Sequence, residues 1–414
     1  MARIAFRRHA AIESFDVVGN ELAVDGLPLS RLAARVGRTP FYAYSRSAIA
    51  ARVADLRRAL PGAVQLHYAM KANPMPAVVG LLAGLTDGID VASAAEMHVA
   101  LDAGVVAEHI SFAGPGKSAA EIAQAVAAGI VINLESQRQY EQALQAAEQL
   151  GIAPQLAIRV NPEFELKSSG MKMGGGPKPF GIDQAAVPAL IERMRADGID
   201  PVGFHIFSGS QNLSAPAIVD AQQKTVALAI ELSQALAVRP RWINIGGGFG
   251  VTYFPGETPL DLAPIGAALE PLCRQAQEAI GAPLVLELGR YLVAEAGIYV
   301  SRVIDRKVSC GQTFLVTDGG LHHNLAASGN FGQVIRKNYP VAIGNRLTLV
   351  EAGGLEVQSV VGPLCTPLDL LADKMELPPA QPGDLVVVFM AGAYGPTASP
   401  AAFLSHPAAA EVLV

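Results

Sequence analysis

Charged residues are scarce in this sequence of 414 residues, since Asp, Glu, Lys and Arg together make up 16% of it. Alanine is abundant instead, so much of the chain can be buried, and the length suits one large barrel with a second domain. The formal net charge of −6 argues against a general nucleic-acid-binding protein. No apolar run is long enough to span a bilayer, which argues against a membrane protein.

Cysteine is also rare. The three cysteines, Cys273, Cys310 and Cys365, are widely spaced and odd in number, so the sequence suggests neither a disulfide framework nor a zinc site. The first nine residues include several basic ones, but no apolar core or cleavage site follows them, so they do not resemble a signal peptide. A reducing cytoplasm is the simplest predicted compartment.

Short apolar segments recur after Pro61-Gly62, and helix-like stretches such as 119–128 and 136–150 separate most of them. Glycines stand where such helices should end, as at Gly129 and Gly151. The eight predicted strands lie near 64–71, 88–91, 110–113, 130–133, 155–161, 201–207, 241–246 and 283–288. Eight strand–helix repeats predict an α/β fold built on a (β/α)8 TIM-like barrel, with a doubly wound open sheet as the alternative.

After about residue 295 the pattern changes to strand-like segments with connections too short for regular helices. These segments are 297–302, 313–317, 346–350, 356–361 and 384–389. They predict a C-terminal antiparallel β domain, which the strand-like residues 15–30 are expected to join. We therefore predict an N-terminal segment of the β domain at 1–35, a barrel at 36–290 and the main β domain at 291–414.

Polar side chains stand at nearly every predicted strand end of the barrel. Active sites of such barrels lie at the carboxyl ends of the strands, so these side chains are candidates for function. In strand order they are Lys71, Asp90, Asn133, Arg159 with Asn161, His205 with Phe207 and Ser210, the run Gly246–Gly250, and Glu287 with Gly289 and Arg290. A purely structural barrel would not need this set.

Lys71 ends the first predicted strand, in which apolar side chains alternate over residues 64–70 before Asn73-Pro74 breaks the pattern. We expect the stem of Lys71 to lie in apolar surroundings. Desolvation would make its amine lose a proton more easily and become a nucleophile able to form a Schiff base. Taken alone, an ordinary solvated lysine is the commoner interpretation.

The seventh predicted strand runs directly into Gly246-Gly247-Gly248, a loop whose backbone N–H groups can cradle a phosphate. Its spacing is neither that of a Walker loop nor that of a dinucleotide fingerprint, but its place after strand seven favours function over a mere tight turn. With a Schiff-base lysine and Glu287 to hold a pyridine nitrogen protonated, the loop suggests pyridoxal phosphate. Alternatively, Glu287 pairs with Arg290, or Arg290 meets the phosphate.

Six motifs occur in series along the chain: Tyr68–Asn73, Asp90–Glu96, Gly246–Gly250, Glu287–Arg290, Gly362–Cys365 and Gly392–Gly395. Their residues and their order resemble the fold-type III pyridoxal-phosphate decarboxylases, which include the diaminopimelate, ornithine and arginine decarboxylases. The resemblance covers nearly the whole chain. It implies an alanine racemase-like fold, pyridoxal 5'-phosphate as cofactor, and amino-acid decarboxylation.

The resemblance also implies a role for individual residues. Lys71 would carry the cofactor as a Schiff base, and Glu287 would face its pyridine nitrogen. Cys365 would come from the partner subunit and reprotonate the α-carbon, which implies a homodimer with two shared sites, although a lone cysteine is more often a small buried hydrophobe. The other implied cofactor contacts are Ser210, Gly248 and Arg290 at the phosphate, Gly247 and Gly289 in the same loops, Tyr394 beside the phosphate, and Asp90 and Arg159 close to Lys71 and the ring.

Two departures from the family pattern concern the cofactor ring and the cysteine. Phe207 occupies the place of a ring-stacking histidine, so an aromatic face is kept and a hydrogen-bonding group is lost. Thr366 stands where an acid commonly follows the cysteine and helps to hold a distal amine.

Two further departures concern the distal end of the substrate. The arginine that grips a distal carboxylate is absent from 321–328, which contains His322 and His323, and 404–407 replaces the usual Asn-Ser-Arg-Pro. Adjacent histidines diverge on a strand, and no third ligand is evident, so no metal site is predicted. The candidate substrate-lining residues are His205, His322, His323 and Thr366.

A site for a charged distal group should keep its partners, since an unpaired charge there is costly. The losses resemble a divergent branch that includes decarboxylases of aminoacyl groups tethered to a carrier protein and decarboxylases encoded with bacterial exosortase systems. The Gly/Lys-rich loop 166–181 would then be a docking loop, in which Lys167, Lys172 and Lys178 meet an acidic acyl or peptidyl carrier protein. A mobile connection with solvated charges is the alternative.

Other functions stay open at this point. A decarboxylase of free diaminopimelate or another basic amino acid needs only a rebuilt pocket. Racemases of this type use arginine at the pyridine nitrogen, where Glu287 stands, and lack the motif that ends in Cys365. Small non-catalytic pyridoxal-phosphate-binding proteins lack the predicted β domain, so a carboxy-lyase is the leading interpretation.

Overall fold

The structure is a computed structural model that describes residues 14–164, 171–172, 174–331, 333, 335–347 and 354–414. The chain divides into two compact units. The strand unit comprises Met1–Ala51, Thr252–Thr258 and Leu292–Val414, and the barrel unit comprises Arg52–Val251 and Pro259–Tyr291.

Short elements precede the barrel. They are β1 (Asp16–Val18), β2 (Glu21–Val24), β3 (Leu27–Pro28), α1 (Leu29–Val36), β4 (Phe41–Tyr44) and α2 (Arg46–Ala59). Helix α1 buries Leu29, Leu32 and Ala33 on one face and ends at Gly37, whose φ of 83° is one that glycine adopts without strain.

The barrel unit alternates strands with helices, as the sequence predicts. Its strands are β5 (Gln65–Ala69), β6 (Gly88–Val91), β7 (Ile110–Phe112), β8 (Val131–Leu134), β9 (Gln155–Asn161), β10 (Met171–Lys172), β11 (Ile182–Asp183), β12 (Gly203–His205), β13 (Gly209–Ser210), β14 (Trp242–Gly247) and β15 (Leu284–Leu288). Its helices are α3 (Pro76–Ala83), α4 (Ala94–Asp102), α5 (Ala119–Ala128), α6 (Gln137–Leu150), α7 (Val187–Ala196), α8 (Ala215–Ala235) and α9 (Ala263–Ile280), and α10 (Arg290–Val293) runs on into the strand unit.

In the described part of this unit, eight parallel strands close into a barrel in the order β5, β6, β7, β8, β9, β12, β14, β15 and back to β5. The pairing of β8 with β9 and of β15 with β5 closes the ring, so the open-sheet alternative is wrong. Both faces of the strands are covered, and the strand residues are therefore almost continuously buried. The predicted α5 is confirmed over 119–128, and Gly129 and Gly151 adopt the left-handed conformation that ends α5 and α6.

The strand unit contains a large sheet in addition to the small sheet of β1, β2 and β3. Its remaining strands are β16 (Gly297–Ser309), β17 (Gln312–Thr317), β18 (Val341–Ile343), β19 (Glu356–Val361), β20 (Leu370–Leu377), β21 (Leu385–Val388) and β22 (Ala410–Leu413). The sheet runs in the order β18, β21, β16, β17, β19, β20, and β4 pairs with both β16 and β22. Short 3-10 helices occur at Met70–Ala72, Ala107–His109, Gln184–Ala186, Ala294–Ala296, Pro396–Ala398 and Phe403–Ser405.

Several expectations for the strand unit need correction. The sheet is mixed rather than antiparallel, because β17 pairs with β19, and β22 with β4, in parallel. Of the predicted strand at 346–350, residues 346–347 are not in a strand and 348–350 lie outside the described residues, whereas β18 at Val341–Ile343 was not predicted. Strands β1 to β3 belong to the strand unit, as expected, but form a sheet of their own. Strand β4, which falls within the predicted barrel range, belongs to the strand unit because it pairs with β16.

Two kinds of feature are missing from the described residues. None of the helices that the structure describes is both long enough and apolar enough to cross a membrane. Among the same residues, no group of three or more His, Cys, Asp or Glu side chains is arranged to hold a metal ion.

Candidate active site

Lys71 lies in the 3-10 turn Met70–Ala72 that directly follows β5, rather than in the strand. Its Nζ is 3.7 Å from Glu287 Oε1 and 5.6 Å from the centroid of the Phe207 ring. The side chain is 46% exposed, so the expectation that Lys71 is desolvated is wrong. The structure instead gives an accessible amine beside a buried carboxylate and an aromatic face.

Glu287 is 5% exposed in β15 and has a basic group on each side. Oε1 faces Lys71, and Oε2 is 3.0 Å from His205 Nε2, although neither Oε2 nor the ring nitrogens of His205 have a well-aligned hydrogen-bond partner among the described residues. Burial alone would raise the pKa of Glu287, but His205, Lys71 and Arg159 offset it and hold that pKa well below its usual range. The carboxylate is therefore ionised at neutral pH.

Strand register brings the other predicted site residues to the same end of the barrel. In the backbone register of the parallel strands, Asp90 in β6 lies opposite Ala69, two residues before Lys71. In the same way, Arg159 in β9 lies opposite His205 in β12. One carboxylate oxygen of Asp90 is 3.5 Å from His67 Nδ1, and the other is buried with no partner among the described atoms.

The glycine run after β14 takes backbone conformations that favour glycine, with φ of 68° at Gly246 and 75° at Gly248. A Cβ at Gly247 would collide with the carbonyl of Glu287, and one at Gly248 with the carbonyl of Gly209. A Cβ at Gly246 would stand 2.8 Å from the Phe207 ring. The loop thus approaches two other strand ends at backbone distance.

We expect Gly248→Ala to destabilise the loop and to weaken cofactor binding strongly. The left-handed φ costs alanine roughly 1–2 kcal/mol, and the collision with Gly209 adds about 1–3 kcal/mol. Gly129→Ala is the matched control, since Gly129 has φ of 73° and no atom lies within 4 Å of the place that its Cβ would take. Equilibrium titration with cofactor, read by absorbance, should show weakened binding for Gly248→Ala alone; equal affinities in the two variants would contradict the role of this loop.

Ser210 and Arg290, the two predicted phosphate contacts with polar side chains, both lie in the barrel unit. Ser210 pairs with Met171 across β13 and β10, and its Oγ is buried without a partner among the described atoms. Arg290 begins α10 directly after Gly289, where a Cβ would lie 2.9 Å from the carbonyl of Ala69. Arg290 therefore follows β15, the strand that carries Glu287, and the adjoining Gly289 approaches Ala69, the last residue of β5.

A buried network that the sequence did not reveal surrounds Arg159. Arg159 Nη1 is 2.9 Å from Glu135 Oε1, and Glu135 also accepts the backbone N–H groups of Gly114 at 2.6 Å and Gly181 at 3.1 Å. Lys117 Nζ donates to the carbonyls of Gly114 and Asn133 at 2.7 and 2.9 Å. Glu135 follows β8 at a strand end, so the same rule that selected Asp90 was available for it.

Burial is the largest influence on the pKa values of Lys117 and Glu135, but it sets the direction of the shift only for Lys117. Burial lowers the pKa of Lys117 to about 8, in spite of the opposing charge of Glu135. Burial alone would raise the pKa of Glu135, but Arg159 and Lys117 lower it below the ordinary value of 4.5. The Glu135 carboxylate therefore stabilises the fold above pH 4.5, and this contribution is lost as the pH falls through the lowered pKa.

We expect Glu135→Gln to destabilise the protein at pH 7 by about 3 kcal/mol, because it leaves the buried Arg159 without a charged partner. The unfolding free energy of the variant should also fall less than that of the wild type below pH 4.5. Urea unfolding at pH 7 and at acid pH measures both effects. Glu141→Gln, which breaks the exposed pair with Arg193, should change little, and equal losses in the two variants would refute a special role for Glu135.

In the strand unit, Asp369 ties together the two loops that carry predicted substrate and catalytic residues. Its carboxylate accepts the N–H of Leu321 at 2.7 Å and of Leu364 at 2.8 Å. A Cβ at Gly320 or Gly362 would collide with this carboxylate. The segment beginning at Leu321 is thus joined to the segment that ends in Cys365.

Cys365 is exposed, with a free thiol, and Thr366 donates its N–H to the Leu364 carbonyl at 2.8 Å. Tyr394 has φ of 53° and lies 6.4 Å from Phe331, ring to ring. The predicted contacts of Tyr394 with a phosphate and of Cys365 with a substrate remain predictions.

His322 and His323 are both buried, with ring centroids 3.8 Å apart. His323 Nε2 is 2.9 Å from the carbonyl oxygen of Pro407 and its Nδ1 is 3.3 Å from the Tyr299 hydroxyl. His322 is fully buried, and neither of its ring nitrogens has a partner in the described ranges. Burial, aided by His323 and His406, lowers the pKa of His322 to about 4, so its ring is neutral at pH 7.

Of the loop lysines, Lys167 lies outside the described residues, and the structure describes only the backbone of Lys172, in β10. Lys178 is half-buried. The predicted contact of these lysines with a carrier protein therefore stays a prediction.

The barrel residues fit pyridoxal phosphate. Ser210 presents a buried hydroxyl with no protein partner among the described atoms, beside glycines at which a Cβ would close the loop. Glu287 presents an ionised carboxylate oxygen without an aligned donor, within reach of an accessible lysine. A phosphate cradle, an acid for a pyridine nitrogen and an amine thus lie together, which defines the class: a barrel enzyme that depends on pyridoxal phosphate.

The sequence profile of the family described as "Pyridoxal-dependent decarboxylase, pyridoxal binding domain" matches residues 46–294, more than half of the chain. The chain therefore belongs to the pyridoxal-dependent decarboxylases. It is 37% identical to the L-glutamyl-[BtrI acyl-carrier protein] decarboxylase of Niallia circulans, over 91% of this chain and 88% of that protein. It is 33% identical to the diaminopimelate decarboxylase of Aquifex aeolicus, over 95% of this chain and 90% of that protein.

A solved structure of a diaminopimelate decarboxylase is similar to this chain over nearly its whole length. The crystal structure of diaminopimelate decarboxylase from Helicobacter pylori complexed with L-lysine matches with a TM-score of 0.81 and 28% identity, covering 93% of this chain and 94% of that one. The predicted family, cofactor and reaction class are thereby confirmed: this is a pyridoxal-phosphate-dependent carboxy-lyase. Racemase and non-catalytic alternatives find no support among these relatives.

Proposed function

We propose that this enzyme decarboxylates an aminoacyl group, of the glutamyl class, that is held as a thioester on an acyl-carrier protein. The observation that carries the proposal is the segment 321–328, which contains two histidines and no arginine. The relative from Niallia circulans, whose name specifies a glutamyl group on a carrier protein, supports the same substrate class.

Charge supports this choice. A free distal carboxylate needs a cationic partner when it is buried, because an unpaired buried charge is costly. His322 is buried and neutral at pH 7, since its pKa is lowered to about 4. The thioester of a tethered glutamyl group carries no charge, so it suits a neutral imidazole better than a free carboxylate does.

The chain's own residues would divide the work as follows. Lys71 would hold the cofactor through Nζ, close to Glu287 and the Phe207 ring. Glu287, held ionised by His205 and Lys71, would keep the proton on the pyridine nitrogen. Ser210, Gly248 and Arg290 would bind the phosphate, with Gly247 and Gly289 in the same loops. When bound, pyridoxal phosphate supplies the electron sink into which the electrons left by CO₂ pass.

Phe207 would orient the ring by its aromatic face, since its centroid is 5.6 Å from Lys71 Nζ. Asp90 and Arg159 would lie close to the ring, and Tyr394 beside the phosphate. Cys365 of the partner subunit would return the proton to the α-carbon, which makes a homodimer with shared sites part of the proposal. Thr366 and His323 would line the substrate pocket. A cytoplasmic location remains a prediction from cysteine usage.

Loss of CO₂, followed by mass spectrometry, tests the proposed function. The cofactor-loaded enzyme is offered free diamino and dicarboxylic amino acids in one set, and the same acyl groups thioesterified to pantetheine or to a carrier protein in the other. We expect turnover of the glutamyl thioesters and little of the free amino acids.

Turnover of free meso-diaminopimelate or of another basic amino acid instead would overturn the proposed substrate. The diaminopimelate decarboxylase of Aquifex aeolicus, which resembles nearly the whole chain, makes this the alternative to test. If thioesters are turned over, reversing the charge of Lys167, Lys172 and Lys178 together tests the docking loop. Reduced turnover on the carrier, with turnover of a small pantetheine thioester retained, would support docking, and unchanged turnover on the carrier would reject it.

A further inference from the structure

Gln222 is a buried amide that the proposed chemistry does not use. It lies in the middle of α8 and is 3% exposed. Neither its Oε1 nor its Nε2 has a hydrogen-bond partner among the described atoms. Buried amides are nearly always paired, because desolvating an unpaired one is costly, so something must satisfy this side chain.

A small cavity of about 20 Å³ lies against Gln222. Its polar lining consists of Ser208, Asn212, Gln222 and Thr225, together with the backbone of Gly209 and Gly247. A cavity of this size holds one water molecule, which needs two to four polar partners (about 10–15 Å³ is the minimum). None of the lining side chains is ionisable, so a neutral occupant suits the site.

Asn212 provides the second unsatisfied group in this lining. Its Oδ1 accepts the N–H of Ser214 at 2.8 Å, which leaves Nδ2 as the free donor, and that nitrogen is buried without a partner among the described atoms. The backbone of Asn212 also holds the glycine loop on both sides. Its N–H donates to the Gly248 carbonyl at 2.9 Å, and its carbonyl accepts the Gly250 N–H at 2.9 Å.

We propose that this cavity binds one structural water molecule that links the amide of Gln222 to the amide of Asn212. The water accepts from Asn212 Nδ2 and donates to Gln222 Oε1, and the hydroxyls of Ser208 and Thr225 are available for its remaining bonds. Gln222 is thereby a positioning residue: it acts on the phosphate-cradling loop through the water and Asn212, and it does not touch the cofactor.

This inference rests on cofactor binding and is independent of which substrate the enzyme takes. A rigid barrel helix would then brace a loop whose glycines leave it few side chains of its own for support. Removing the brace should loosen the loop around the phosphate while leaving Lys71 and Glu287 in place.

A crystal structure of the cofactor-loaded wild type at high resolution gives the first test. We expect density for one water within hydrogen-bond distance of Gln222 and Asn212. A cavity without density, or a Gln222 amide bonded directly to protein groups, would overturn the proposal. This measurement needs no variant, so it decides the matter even if a substitution prevents folding.

Gln222→Met tests the positioning role, because methionine has a similar volume and no hydrogen-bonding amide. Gln223→Met on the exposed side of the same helix is the matched control. We expect pyridoxal phosphate to leave the Gln222→Met enzyme about tenfold faster, as for the loss of one buried hydrogen bond. The ³¹P resonance of the bound phosphate should shift or broaden in that variant only.

The melting temperature without cofactor separates positioning from general stability. A Gln222→Met protein that melts like the control but releases cofactor faster supports the proposal. Equal release rates and equal ³¹P spectra in the two variants would refute it, whatever either enzyme does with substrate.

Discussion

Lys71→Ala is expected to reduce turnover by about 10³-fold or more, because the enzyme loses the amine that holds the cofactor covalently. Because Lys71 is accessible, the reduced turnover should come from the missing amine and not from a destabilised fold. Its side chain is 46% exposed, so alanine leaves no buried cavity. The melting temperature without cofactor should therefore stay close to that of the wild type.

Borohydride reduction followed by mass spectrometry measures the covalent link directly. Wild-type protein should gain the mass of one reduced cofactor on the peptide that contains Lys71, and Lys71→Ala should gain none. Lys224→Ala is the control, since Lys224 is similarly exposed, at 44%, and forms an ion pair with Asp220 on the same helix. Cofactor attachment in Lys71→Ala at another lysine would show that a different residue carries the cofactor.

Glu287→Gln should lower kcat by about 10²-fold or more, because a neutral amide cannot hold a proton on the pyridine nitrogen. The substitution keeps the shape of the side chain next to His205 and Lys71, so cofactor binding should suffer less than kcat does. The absorbance spectrum of the bound cofactor should change with the loss of the charge.

Stability against pH gives an independent check on Glu287. Its folded pKa is lowered, so the ionised carboxylate stabilises the fold above the ordinary value of 4.5 and this stabilisation disappears as the pH falls. The glutamine variant lacks this dependence. Glu278→Gln, on the exposed surface of α9, should leave both kcat and the acid stability unchanged. Wild-type kcat in Glu287→Gln would remove this carboxylate from the mechanism.

The local signals of the sequence were sufficient for the barrel and for most of its strand ends. Apolar runs bounded by glycines and helix-like stretches mark strands wherever both faces of a strand are buried, which holds throughout a closed parallel barrel. The signal was weaker in the strand unit. The sheet there is mixed, and β20 and β22 were not recognised. Strand β22 pairs with β4, which lies far away in the chain, whereas β20 pairs with the preceding strand β19.

Lys71 and Glu135 show where local patterns fail. The periodicity of residues 64–70 located Lys71 correctly in the chain but implied a buried stem, whereas the 3-10 turn after β5 exposes it. Glu135 was not singled out in the sequence, and only the closure of β8 on β9 brings it to Arg159.

The sequence alone determined the fold class, the cofactor and the reaction class, because periodicity, glycine placement and six ordered motifs are all local properties of the chain. Tertiary structure decided which groups meet: that Glu287 is flanked by Lys71 and His205, that Asp369 joins the Leu321 and Leu364 loops, and that Gln222 shares a cavity with Asn212. Distances of this kind follow from barrel closure and strand register, which no local pattern contains.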